Sequence, residues 1–97
     1  MKTVTTRIPE DDERALAELE RELSADRSEV LRRLIRGGLE DWRNERALEK
    51  LDAGEVTVRK AAEIAGVEYV EMLARANEAG IDVGYGVEDL ERDLERL

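Results

Sequence analysis

The chain has no cysteine and no histidine among its 97 residues. The first absence excludes a disulfide framework and thiolate metal sites. The second removes the commonest general base and the commonest metal ligand. Phenylalanine is also missing, and Trp42, Tyr69 and Tyr85 are the only aromatics, too few for a platform on which bases stack. No apolar run exceeds a few residues, so neither a membrane span nor a signal peptide is visible, and the cytosol is the expected location. No glycine-rich phosphate loop, no D-x-D-x-D-G calcium loop and no evident catalytic carboxylate pair occurs. An enzyme is therefore not expected, and neither a metal nor a cofactor.

What the chain has in excess is acid. Twenty-five Asp and Glu face sixteen bases, only three of them lysines (Lys2, Lys50 and Lys60), for a net charge of −9. Such a balance resembles the proteins of salt-loving archaea, and it bears on solubility and partners rather than on fold. Residues 1–46 carry ten bases and twelve acids, net −2; residues 47–97 carry six and thirteen, net −7. Two modules are expected along this division, a nearly balanced 1–46 and a strongly acidic 47–97.

"KTVTTRIPED" alternates: Val4, Thr6 and Ile8 point one way in a strand, Thr3, Thr5 and Arg7 the other. Pro9 suits the first turn of a helix, and Glu10 to Glu13 load that turn with charge the macrodipole favours. Leu16, Leu19 and Leu23 continue as an apolar stripe. Asp26 and Glu29 form a D-x-x-E capping-box pattern, so a second helix is expected to start at Arg27. Its apolar positions are Val30, Leu31, Leu34, Ile35, Leu39 and Trp42. Gly37 and Gly38 within it weaken the helix by roughly 1 kcal/mol each relative to Ala, which close approach of another helix would justify. A strand and two helices in about 45 residues bury too little alone, and a lone strand leaves its backbone unpaired. The economical expectation is a homodimer in which two strands form an antiparallel ribbon. Val4, Thr6, Ile8, Leu16, Leu19, Leu23, Val30, Leu31, Leu34 and Ile35 would form its core.

"VTTRIPEDDERALAELERELSADRSEVLRRLIRGGL" resembles the ribbon-helix-helix DNA-binding proteins, CopG-like in flavour, over residues 2 to about 43. The resemblance implies a mostly α fold class, with one strand shared in an intermolecular ribbon and two helices, followed by a small helical module. It implies that the ribbon enters the DNA major groove, with Thr3, Thr5 and Arg7 facing bases. Lys2, Arg27 and Ser28 would contact phosphates, the latter two at a helix N-terminus. The competing readings are that Thr3 and Thr5 are ordinary β-formers in a purely structural ribbon, and that Arg32, Arg33 and Arg36 are a solvated helix face. The near-neutral front half also lacks the basic footprint of most DNA binders.

Beyond Trp42 the helix is expected to run through Leu48 and Leu51 to a stop at Gly54. Thr57 caps a short helix with Val58, Ala61, Ala62, Ile64 and Ala65 on its apolar side, and Gly66 breaks it. A further helix follows, with Val70, Leu73 and Ala76 as its clearest apolar positions, Met72 and Ala74 beside them, and Gly80 as its end. Ala62-x-x-x-Gly66 has helix-turn-helix spacing, but Glu68 and Glu71 would face phosphates, so an interaction module is the better reading. Ile81 and Val83 read as extended, Gly84 and Gly86 as a turn. Val87, Leu90, Leu94 and Leu97 make a last amphipathic helix that either folds back or awaits a partner.

"ALEKLDAGEVTVRKAAEIAGVEYVEMLARANEAGIDVGYGVEDLERDL" resembles a small prokaryotic domain family with an AAExAG motif. Ala61, Ala62, Glu63, Ala65, Gly66, Gly80, Ile81, Tyr85 and Asp93 carry the likeness. Members are often described as antitoxin-like partners of nuclease toxins, especially in archaea. Together the two resemblances imply a dimeric, nucleoid-associated transcriptional regulator, the autoregulating antitoxin of a toxin–antitoxin pair. It would pair as a dimer or dimer of dimers on DNA, with Val87, Leu90, Leu94, Arg92 and Arg96 against a nuclease toxin. The alternative is a stand-alone regulator or nucleoid factor whose tail only stabilises or stacks dimers.

Overall fold

The computed structural model describes residues 1–83. Four helices follow in order: α1 Glu10–Leu23, α2 Arg27–Asp52, α3 Val58–Ala65 and α4 Tyr69–Glu78. The chain divides into two compact units, Met1–Gly38 and Leu39–Leu97; this division and the expected 46/47 boundary both fall within α2.

The described residues contain no strand, which overturns the expected ribbon-helix-helix class. Residues 1–9 have no regular secondary structure, and Val4 is 84% exposed. The reason is physical: a strand is defined by hydrogen bonds to a neighbour, and among the described residues, positions 2–8 form none with another extended segment. Alternation supplies two faces, but not the partner that makes either worth burying. The fold is all helical over the described residues.

In the first unit, the Pro9 carbonyl accepts from the Asp12 and Glu13 amides at 3.1 Å each, opening α1 with four acids in its first turn. Ser24 ends α1 in the left-handed region at φ 50°. Its amide donates to the Arg21 carbonyl and that of Ala25 to the Glu20 carbonyl, the Schellman arrangement. Only Leu16 and Val30 of the expected dimer core are buried. Leu19 is half-buried, while Val4, Thr6, Ile8, Leu23, Leu31, Leu34 and Ile35 are exposed.

The second unit has a continuous core of Ala47, Leu51, Val58, Ala61, Ala62, Ala65, Met72, Leu73 and Ala76. Five of these nine are alanines, so helix backbones rather than long side chains do much of the packing. Thr57 Oγ1 accepts from the Lys60 amide at 3.1 Å, as its capping position requires. Gly66 closes α3 at φ 73°, with its amide on the Glu63 carbonyl and that of Val67 on the Ala62 carbonyl. Among the described residues, nothing beyond its chain neighbours lies within 4 Å of where a Gly66 Cβ would sit. The glycine is therefore required by the left-handed backbone and not by tight helix packing. Along α4 the buried side falls on Met72, Leu73 and Ala76, whereas Val70 and Ala74 face outward. Ile81 and Val83 pack against the core. Expectations for the Gly84–Gly86 turn and for Tyr85, Val87, Leu90, Arg92, Asp93, Leu94, Arg96 and Leu97 lie outside the described residues.

Candidate functional site

The proposed DNA-facing residues sit on exposed chain. Lys2, Thr3, Thr5 and Arg7 are all open to solvent, but so are Val4 and Thr6, so the segment has no buried side to aim the others. Lys2 and Arg7 make no ion pair among the described residues, and the Thr6 hydroxyl donates to the Arg7 carbonyl at 3.5 Å.

The start of α2 is built differently. Asp26 Oδ1 accepts from the Glu29 amide at 2.9 Å, one half of a capping box. The Glu29 carboxylate instead takes Arg33 Nε at 3.0 Å and Arg32 Nη2 at 3.3 Å. Those two guanidiniums, Arg33 foremost, hold its pKa below the ordinary glutamate range. Arg27 spans both oxygens of Glu20, at 3.3 and 3.4 Å, and reaches Glu13 at 3.5 Å. Hydrogen bonding to Glu20, with the charge of that carboxylate, raises the Arg27 pKa. Ser28 is exposed beside it. A phosphate arriving here would meet the capping Asp26 and would compete with Glu20 for the fork of Arg27.

In the second unit, an open groove of about 550 Å³ is lined by Trp42, Glu45, Arg46, Glu49, Lys50, Ala53 and Glu55. The Arg46 guanidinium lies 5.3 Å from the Trp42 ring centroid, and Lys50 pairs with Glu55 at 3.6 Å. Arg59 stands over Tyr69 at 5.4 Å. Arg75, near the end of α4, holds Glu71 at 3.0 Å and donates to Asn44 Oδ1 at 2.9 Å, tying α4 to α2. Sequence reading missed both Trp42–Arg46 and Arg75–Asn44. The i, i+4 spacing signals the first; the second joins residues 31 apart and has no local signal.

Among the described residues there is no metal-ligating cluster, no buried side-chain nitrogen or oxygen without a partner, and no helix long and apolar enough to cross a membrane. What the described residues present to solvent includes the N-terminal arm and the apolar side chains Leu31, Leu34 and Ile35 of the first unit.

No curated protein and no solved structure matches the chain significantly. A family model does match, over residues 38–97, beginning at the last residue of the first compact unit. That span exceeds half the chain, and the protein belongs to the uncharacterised protein family UPF0175.

Proposed function

We propose that this chain is the antitoxin-like partner of a protein toxin, with residues 38–97 as the toxin-binding module and the first unit as a dimerising head. One observation carries the reading: the family match starts where the first compact unit ends, so it covers a unit with its own core and leaves the head outside. The AAExAG motif that resembles antitoxin-like proteins lies in that module, and its surplus of acid suits a basic partner such as a nuclease. The head buries only Leu16 and Val30, which favours a second copy as its companion. The protein acts by binding rather than by catalysis. The test is co-expression with a candidate toxin, taken from any small gene that neighbours its own. A stable complex in which the chain also relieves that protein's toxicity is expected. No complex and no relief would leave the stand-alone regulator as the better account.

A second reading, DNA binding by the head, is favoured by the exposed arm and its two cations, Lys2 and Arg7, which make no ion pair among the described residues. Thr3, Thr5 and Arg7 would meet bases and Lys2 a phosphate, while Arg27 and Ser28 reach phosphate only if Glu20 gives way. Fluorescence anisotropy on the gene's own upstream DNA tests it. Arg7→Ala is expected to cost roughly 1–3 kcal/mol of preference over scrambled DNA. Equal binding of both DNAs by wild type removes this reading and leaves the toxin-binding one standing.

A further inference from the structure

The middle of α2 is anchored at both ends and bare between them. Towards its start, Val30 is buried and Arg27 holds Glu20 and Glu13 of α1. Towards its end, Ala47 and Leu51 are buried and Asn44 accepts a hydrogen bond from Arg75 of α4. From Leu31 to Arg43 every residue is exposed except Gly37, which is half-buried. The ion pairs that brace the first turns run from Glu29 no further than Arg33. Arg36, Glu40 and Asp41 make no ion pair among the described residues. This stretch is therefore held mainly by its own backbone hydrogen bonds.

Gly37 and Gly38 stand side by side in the middle of it, where glycine weakens a helix. Neither has a positive φ, unlike Gly54, Gly66 and Gly80, so no turn requires them. Among the described residues, nothing beyond chain neighbours lies within 4 Å of where either Cβ would sit, so no close approach requires them either. The division between the two compact units falls directly after Gly38, and the family match begins at Gly38. Glycine gains more backbone freedom on leaving a helix than any other residue, and small-residue pairs are a recurring seat of helix breaks.

We infer that α2 carries a hinge at Gly37–Gly38: the helix opens locally there, in a minor state, while the anchored segments on either side stay folded. Such an opening breaks only the hydrogen bonds that span the pair, from the amides of Gly38 to Asp41 to carbonyls four residues earlier. It uncovers no buried side chain, whereas a break nearer Val30 or Ala47 does. Burial at both ends and glycine in the middle confine the break to one place. The hinge is thus the joint by which the family module is attached to the head, whatever either unit binds.

Amide hydrogen exchange of the full chain, resolved by residue with NMR, tests the hinge against a Gly37→Ala/Gly38→Ala double variant. In wild type, protection of the Gly38 to Asp41 amides should be about tenfold or more below that of Leu31 to Leu34 before them and Leu48 to Leu51 after them. A dip inside one helix is the signature. Alanine favours the helix at both positions, so the double variant should raise protection in the dip roughly tenfold or more. Leu73 and Ala76 of α4 should be unchanged. Uniform protection along α2 overturns the hinge, because something then holds the middle as firmly as the ends. Equally poor protection from Leu31 through Asp41 overturns it as well, because the whole head is then what opens. A dip that survives both alanines removes the glycines as its cause and the hinge with them.

Discussion

At the scale of single residues, the first unit shows where the chain is under local strain and where charge is at work. Ser24 occupies the left-handed position that closes α1, with φ at 50°. A side chain there costs about 1–2 kcal/mol relative to a relaxed backbone, and glycine does not incur it. Ser24→Gly should therefore stabilise the protein by about 1 kcal/mol, read as a higher urea midpoint at an unchanged slope. Glu29 makes a pH prediction. Its folded pKa lies below the ordinary value of 4.5 because Arg33 and Arg32 stabilise the carboxylate. Its contribution is thus present above that value and is lost as pH falls through the lower, folded one. The stability gap between wild type and Glu29→Gln should be visible near neutrality and should close in acid. A gap that widens in acid would contradict the sign.

Among the elements, α4 separates two predictions that its sequence cannot. Val70, Met72, Leu73 and Ala74 are all apolar or small, so two adjacent faces look equally fit for burial, and the expected phase gave Val70 too much weight. The structure buries Met72 completely and leaves Val70 about half exposed. Met72→Ala should cost about 2–5 kcal/mol, whereas Val70→Ala should change stability by no more than about 0.5 kcal/mol; thermal melts of the two variants decide between the phases. Helix ends were legible because their signals are local. Pro9 with its acids, Asp26, Thr57, Gly54, Gly66 and Gly80 each act within a turn of where they stand. The 2–8 segment was misread because a strand depends on a second segment, which no alternation within the first can supply. The arm's role was legible only through likeness, and the groove at Trp42 only as an unremarked i, i+4 pair.

For the whole molecule, the governing number is the net charge of −9. The ion pairs among the described residues are all at least partly exposed, such as Arg14–Asp11 at 3.2 Å, and such pairs contribute about 0–1 kcal/mol each. Self-repulsion among the excess acids opposes them. Salt weakens both, but the like-charge excess is larger and spread across the chain, so its screening should dominate. The melting temperature should rise as KCl is increased from about 0.1 M to about 1 M, where the screening length falls from roughly 10 Å to roughly 3 Å. A flat or falling melting temperature would mean that the carboxylates are too well separated to repel. The second unit adds a different kind of constraint. Most of its core positions hold alanine, a residue with little volume to lose and no rotamers to freeze. Its mutational tolerance should therefore be lopsided: trimming Ala61 or Ala76 to glycine removes one methyl, while any bulkier replacement must push whole helices apart. Natural variation in this module is accordingly free to drift on its charged exterior but has almost no upward room in size at its centre.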